Sequence, residues 1–153
     1  MEITIKEALE DAKRKEELAY EFYMKLYDYL ADLGAKTIIK ELADEEIKHK
    51  ELIQEMIDTG RLDIVGKDTK YYYTDLGISQ MVLPEVITKD MTVQDVLRIA
   101  MKHEDNSRIF YESLAEKYSG KQVAEVFQRL AIEEALHRNT IQKMYDEIVL
   151  SEN

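Results

Sequence analysis

Residues 42–49 read LADEEIKH, and residues 130–137 read LAIEEALH. The two octapeptides lie 88 residues apart, and the same offset aligns residues 2–58 with residues 90–146 without a gap, giving 16 identities. Unrelated sequences would share about one position in fifteen at average residue usage. We therefore infer that the chain arose by duplication of a half-domain and that its two halves fold alike.

Both halves have the composition and periodicity of long amphipathic helices. Of the 153 residues only 5 are Gly and 1 is Pro, while 35% are charged and 45% are hydrophobic, which excludes an all-β sandwich. Apolar side chains recur in steps of three and four, as on the inward face of a bundle helix. The formal net charge of -11 argues against nucleic acid and anionic membranes as partners.

Short sequence signals predict the helix boundaries. Capping boxes, in which a hydroxyl and an acid bind free N–H groups of the first turn, are expected to begin the first helix of each half. The two candidate boxes are Thr4 with Glu7 and Thr92 with Asp95. Glycines are expected to break or end helices near Gly34, Gly60 and Gly120.

About thirty residues separate the two predicted helix pairs, and they include Tyr71, Tyr72 and Tyr73. We expect these tyrosines to pack along the bundle, with a contact to a partner as the alternative. A connection of this length can run along a bundle, so that the third helix starts at the same end as the first. The predicted fold is all-α, a ferritin-like four-helix bundle of two duplicated hairpins. It forms a single domain over residues 1–153, with helix pairs 4–60 and 92–150 and a crossover linker over 59–91.

The inward stripes also carry acids and histidines: Glu16, Glu46, His49, Glu104, Glu134 and His137. A buried carboxylate without a partner is costly or becomes protonated, and no Lys or Arg shares these stripes. Two divalent cations would neutralise four carboxylates, and Glu-x-x-His presents an oxygen and a nitrogen on one helix face. The pattern matches the ligand set of dinuclear carboxylate bundles. The alternative is a metal-free layer of hydrogen-bonded Glu and His.

The sequence resembles the rubrerythrin branch of the ferritin-like superfamily. The segments that carry the resemblance are EELAYEFY (16–23), LADEEIKH (42–49), EDNSRIFY (104–111) and LAIEEALH (130–137). The resemblance implies that the metal ligands are Glu16, Glu46, His49, Glu104, Glu134 and His137. It also points to Tyr23 and Tyr111 as tyrosines that bind ligand carboxylates, with an ordinary core role as the alternative. Ligands of this hardness suit two Fe ions, although Mn or Zn can occupy such sites.

Two departures from the family pattern change the expected chemistry. Rubrerythrins proper carry a rubredoxin domain with four cysteines, whereas these 153 residues contain none. The resemblance therefore implies an external electron donor such as a rubredoxin-like protein. The family also places a further ligand Glu about one turn after the third-helix Glu, where this sequence has Ser107. We expect a more symmetric site as a result.

The leading hypothesis is a diiron oxidoreductase of the peroxidase or ferroxidase type, which reduces hydrogen peroxide or oxidises Fe(II) and so counters oxidative stress. Iron handling by a ferritin-like protein and a non-catalytic helical bundle are the alternatives. The sequence has no apolar stretch of membrane-span length and no signal-peptide pattern at its start. We expect a soluble cytoplasmic homodimer.

Further charged positions lie beside the stripes. Four acids that recur between the halves are expected to face solvent or to contact the ligands from outside: Glu17, Glu45, Asp105 and Glu133. The alternative for Glu45 is a ligand role, because it lies four residues before His49 on the same helix. His103 has Lys15 as its equivalent in the first half, and we expect it to be a surface histidine.

Overall fold

The described residues of the computed structural model, 3–62 and 92–152, form four α-helices and no strand. The helices are α1 (Ile3–Tyr29), α2 (Leu33–Thr59), α3 (Val93–Lys117) and α4 (Gln122–Glu152). Helices α1 and α2 pack as one hairpin, and α3 and α4 pack as the second. This architecture confirms the predicted all-α, ferritin-like bundle. None of these helices combines the length and apolarity needed to cross a membrane.

The residues that were predicted to form the linker, 59–91, lie mostly outside the described residues. The prediction that Tyr71, Tyr72 and Tyr73 pack along the bundle falls outside them as well, as does the expected path of the crossover itself.

Two of the predicted helix boundaries are confirmed. The Thr92 hydroxyl accepts a hydrogen bond from the Asp95 N–H at 3.1 Å, and the Asp95 carboxylate accepts one from the Thr92 N–H at 3.1 Å, so the capping box begins α3. Gly60 ends α2 with φ of 72°, and its N–H donates to the Met56 carbonyl. A glycine suits this position because a residue with a Cβ rarely adopts positive φ.

One predicted boundary is wrong: Thr4 is not a helix cap, because it already lies inside α1, which begins at Ile3. The predicted break near Gly34 is confirmed, since residues 30–32 separate α1 from α2, although Gly34 itself lies in the first turn of α2. The N-cap of α2 is Asp32, whose carboxylate accepts a hydrogen bond from the Ala35 N–H at 2.8 Å. An Asp cap satisfies a free N–H that a nearby glycine cannot, so the helix begins there.

The expected direction of α3 is also wrong. The Tyr118 hydroxyl, at the end of α3, donates to the Thr4 carbonyl at the start of α1, at 3.0 Å. Helix α3 therefore ends where α1 begins, and the two run antiparallel. A chain that leaves the end of α2 and crosses the bundle arrives at the end where α2 began, which is the opposite end from the start of α1.

Two apolar cores lie on either side of a polar layer, and all four helices contribute to each. One core is built around Leu9, Ile53, Tyr111, Phe127 and Leu130. The other is built around Tyr23, Leu26, Ile39, Leu97 and Ile141. Since each core draws side chains from both hairpins, neither hairpin buries its apolar face without the other.

Thr92→Ala removes the hydroxyl acceptor of the capping box on α3. We expect the free energy of unfolding to fall by about 1 kcal/mol, which lowers the melting temperature by roughly 2–4 °C in a chain of this length. Thermal unfolding followed by circular dichroism measures the effect. Thr37→Ala is the matched control, because the Thr37 hydroxyl donates to the Leu33 carbonyl and caps no helix. An equal fall in both variants would contradict the assignment.

Candidate metal centre

The polar layer between the two cores contains the six side chains that the sequence singled out. Each helix contributes one glutamate, and the carboxylates of Glu16, Glu46, Glu104 and Glu134 are 0% exposed. Helices α2 and α4 each add a histidine three residues after their glutamate, namely His49 and His137. Residues three apart on a helix share a face, so each Glu and His pair points into the same layer.

The six side chains divide into two overlapping groups whose ligand atoms all lie within 4.8 Å of one another. Glu46 and Glu134 belong to both groups. Glu16 and His49 complete the first group, and Glu104 and His137 complete the second. The structure therefore places two equivalent sets of oxygen and nitrogen atoms around a shared pair of carboxylates.

The imidazoles face this layer through their Nδ1 atoms. His49 Nδ1 lies 3.1 Å from a Glu134 oxygen and 3.6 Å from a Glu16 oxygen. His137 Nδ1 lies 3.6 Å from a Glu46 oxygen and 3.7 Å from a Glu104 oxygen. The two rings stack with their centroids 5.7 Å apart, as the duplication predicts for equivalent positions.

Eight atoms of these six residues are buried and make no hydrogen bond of good geometry within the described ranges, although His49 Nδ1 approaches Glu134 to 3.1 Å. They are Glu16 Oε2, both Glu46 carboxylate oxygens, His49 Nδ1, Glu104 Oε2, both Glu134 carboxylate oxygens and His137 Nδ1. Buried polar atoms are nearly always hydrogen-bonded, and each orphan costs free energy. Oxygen and imidazole nitrogen are the donors that Fe(II), Mn(II) and Zn(II) accept, so this set fits a divalent metal.

Two buried tyrosines bind carboxylates of the centre across the bundle. The Tyr23 hydroxyl on α1 donates to Glu104 on α3, and the Tyr111 hydroxyl on α3 donates to Glu16 on α1. Burial, followed by the nearby carboxylates, raises the pKa of both phenols well above its ordinary value. Both phenols therefore keep their protons and act as donors, as the sequence analysis suggested.

Glu133 contacts the centre from outside. His49 Nε2 lies 2.6 Å from a Glu133 oxygen, and Arg129 Nε lies 3.3 Å from the other oxygen. Burial favours a higher pKa for Glu133, but the bonds to His49 and the charge of Arg129 outweigh it and lower the pKa. A carboxylate on the far nitrogen orients the ring, so Nδ1 of His49 is presented to the layer.

Lys15 is a residue of the centre that the sequence analysis missed. Its Nζ lies 3.4 Å from a Glu16 oxygen, 3.5 Å from a Glu134 oxygen and 3.8 Å from a Glu46 oxygen. No Lys or Arg shares the stripes of the acids, but this ammonium reaches the acids from a position beside them. A long lysine stem lets an ammonium reach a layer that its Cα does not face. The signal in the sequence was the 88-residue offset, which pairs Lys15 with His103.

His103 is not the surface histidine that we expected. Its ring is half-buried and stacks on Phe22 with a centroid separation of 4.3 Å, and its Nε2 is shielded from water. Burial, helped by the charge of Lys15, lowers the pKa of His103 to about 4. The ring is therefore a neutral aromatic beside Tyr23, and it belongs to neither of the two ligand groups.

Asp105 does not face solvent, which was one of the two roles that we expected for it. It is buried, and one of its oxygens lies 3.4 Å from Arg138 Nε on α4. These residues directly follow Glu104 and His137 in the sequence, so an ion pair ties α3 to α4 beside the centre. Periodicity did not reveal this pair, because neither residue falls on the stripe of ligands.

Without a metal the carboxylates share protons unequally. Burial and the charge of Glu134 raise the pKa of Glu104 to about 8. Burial and the same neighbour also raise the pKa of Glu46 well above its ordinary value. Burial favours the acid form of Glu134 too, but the charge of Lys15 and the polar contacts with His49 and Glu104 together outweigh it and lower that pKa. The centre therefore retains protons at neutral pH that a cation would displace.

A sequence model of the family described as Rubrerythrin matches residues 7–145, which include all six residues of the two ligand groups. No curated protein and no solved structure matches the chain.

Protein that has been stripped of metal is expected to lose stability as the pH rises from about 5.5 to about 8. In this range the folded state holds a proton on Glu104, whose pKa is about 8, and the unfolded state does not, so the free energy of unfolding falls. The raised pKa values of Glu46, His49 and His137 act in the same direction. Thermal melting in the presence of a chelator measures the slope.

Glu104→Gln is the control for this pH dependence, because a neutral amide removes the titration of that side chain. We expect its melting temperature to change less with pH than that of the parent protein. A parent melting temperature that rises over this range, or an identical slope in the variant, would contradict the assignment of the retained proton.

Tyr111→Phe removes the donor to Glu16 and leaves another buried carboxylate oxygen without its bond. In the metal-free protein we expect the free energy of unfolding to fall by about 1–3 kcal/mol. Urea denaturation measures the change. Tyr20→Phe is the matched control, because Tyr20 is half-buried in the same bundle and lies outside the centre. Equal losses in both variants would show that the Tyr111 hydroxyl contributes no special stabilisation.

Proposed function

Because the chain belongs to the rubrerythrin family, we propose that it is an oxidoreductase that reduces hydrogen peroxide at a pair of iron ions in this centre. The observation that carries the proposal is the set of eight buried ligand atoms without hydrogen bonds. A metal-free polar layer would pair such atoms with one another. Because these eight atoms face the same polar layer, a cation is favoured as their missing partner.

The two overlapping groups suggest which of the six residues would hold each ion. Glu46 and Glu134 belong to both groups, so both ions would share these two carboxylates. Glu16 with His49 would hold one ion, and Glu104 with His137 would hold the other. Four carboxylates would then balance the four positive charges of two divalent ions.

The reaction requires two electrons and two protons for each peroxide, which yields two water molecules. Two iron ions would each supply one electron, so neither needs an extreme oxidation state. The side chains position the carboxylates: the Tyr23 phenol holds Glu104 in place through its O–H group, and the Tyr111 phenol holds Glu16. The apolar cores on both sides limit the access of bulk water.

The electrons have to be replaced after each turnover. These 153 residues contain no cysteine, so they cannot form a Cys-ligated iron centre of the rubredoxin type. We propose that an external donor, such as a rubredoxin-like protein, delivers the electrons.

Anaerobic reconstitution with Fe(II) tests the proposal. We expect elemental analysis to find about two iron ions per chain, and stopped-flow absorbance to show that peroxide oxidises them faster than free Fe(II). Glu46→Gln removes a shared ligand. It should lower the affinity for iron by more than the roughly 10–100-fold that loss of an outer hydrogen-bond partner costs metal sites.

Glu51→Gln is the matched control, because Glu51 is an exposed glutamate on the same helix. If peroxide oxidises the bound iron no faster than free Fe(II), the proposed peroxidase activity is overturned. If dioxygen oxidises the bound iron and the protein then releases it, iron handling is the better description. If the parent protein takes up no metal at all, it is a non-catalytic bundle.

A further inference from the structure

Lys15 and His103 occupy equivalent positions in the two halves, but they differ in chemistry and in the direction in which their side chains point. Each directly precedes the glutamate that only one ligand group uses, Glu16 in the first half and Glu104 in the second. The Lys15 side chain is 16% exposed and turns toward the carboxylates. The His103 ring instead packs on Phe22. The duplication therefore produces two equivalent sets of ligands, but the difference between Lys15 and His103 makes the surroundings of the two sets unequal.

The ammonium of Lys15 lies at one side of the centre. It is within 3.8 Å of all three carboxylates in the group that contains His49, which are those of Glu16, Glu46 and Glu134. Among the described residues it makes no ion pair with Glu104. The Nζ atom also lies 4.9 Å from the ring centroid of Tyr111, a cation–π contact that holds it on this side.

A divalent ion at the Glu16 and His49 position has to share its three carboxylates with this ammonium. Like charges this close repel strongly where water is excluded. At the equivalent place beside the Glu104 and His137 position, the His103 ring packs on Phe22 and does not turn toward the carboxylates. We propose, on the basis of the proposed function, that Lys15 makes the centre load in two unequal steps. The Glu104 and His137 position fills first, and the Glu16 and His49 position binds its ion more weakly.

The cleft between α1 and α3 gives Lys15 a place to withdraw. It has a volume of about 400 Å³, and Lys15 lines it together with Asp11, Leu18 and Ser107. The exposed Asp11 carboxylate lines the same cleft, which has Arg14 on its rim, and offers an acid to an ammonium that leaves the centre. The second ion would therefore compete with Lys15 rather than find the position permanently closed. The concentration of free metal would then decide whether the centre is complete.

Calorimetric titration of the metal-stripped protein with Mn(II) alone tests this inference without measuring activity. In the parent protein we expect two dissociation constants that differ by at least about tenfold, which corresponds to ~1.4 kcal/mol. Lys15→Met keeps the apolar stem and removes the charge. It should tighten the weaker step by a similar factor. His103→Met changes the equivalent position and should leave the two constants apart.

Two further variants identify the steps. His49→Gln should abolish the weaker step, and His137→Gln should abolish the tighter one. Two equal affinities in the parent protein would overturn the inference and leave the dinuclear function intact. An unchanged ratio in Lys15→Met, or an equal effect of His103→Met, would also overturn it. If no variant and no parent protein binds Mn(II), the proposed function fails together with the inference.

If Lys15→Met does not fold without metal, the parent isotherm and the two histidine variants decide the matter. Unequal steps, with the weaker one lost in His49→Gln, would support the inference. Equal steps would overturn it.

Discussion

The rest of this structure depends on four carboxylates that are buried in one polar layer. Each helix contributes one of them, and none is accessible to water. Burying a charge is costly unless an opposite charge or a proton compensates it. The raised pKa values of Glu46 and Glu104, the inward turn of Lys15 and the orphaned oxygens are all consequences of this one requirement. Two divalent ions would meet the requirement most completely.

The apolar cores explain why the protein can hold such a layer in place. They lie on both sides of it and draw side chains from every helix, so the hydrophobic effect drives the helices together around the acids. The tyrosines then tie α1 to α3 across the layer, together with the stack of His103 on Phe22. Apolar burial thus supplies the stability, whereas burying the carboxylates lowers it.

The sequence predicted which acids and histidines face the interior, because periodicity and duplication are local signals. A glutamate on an apolar stripe must face the interior, and an equivalent glutamate 88 residues later must do the same. The same reasoning missed Lys15 and the pair of Asp105 with Arg138, because their Cα positions lie beside the stripe. The long side chains of Lys15 and Arg138 reach inward from there. It also misjudged His103, whose ring is covered by Phe22 from another helix.

The sequence by itself determined four amphipathic helices, their pairing into equivalent halves and the acids on their inward faces. These properties follow from residue spacing along one helix, which the chain encodes directly. Only the tertiary structure decided that α3 runs antiparallel to α1, that Tyr23 binds Glu104 and that a lysine ammonium stands among three carboxylates. Such contacts depend on where separate helices meet and on which way a flexible side chain turns. Residue spacing within one helix carries no information about either.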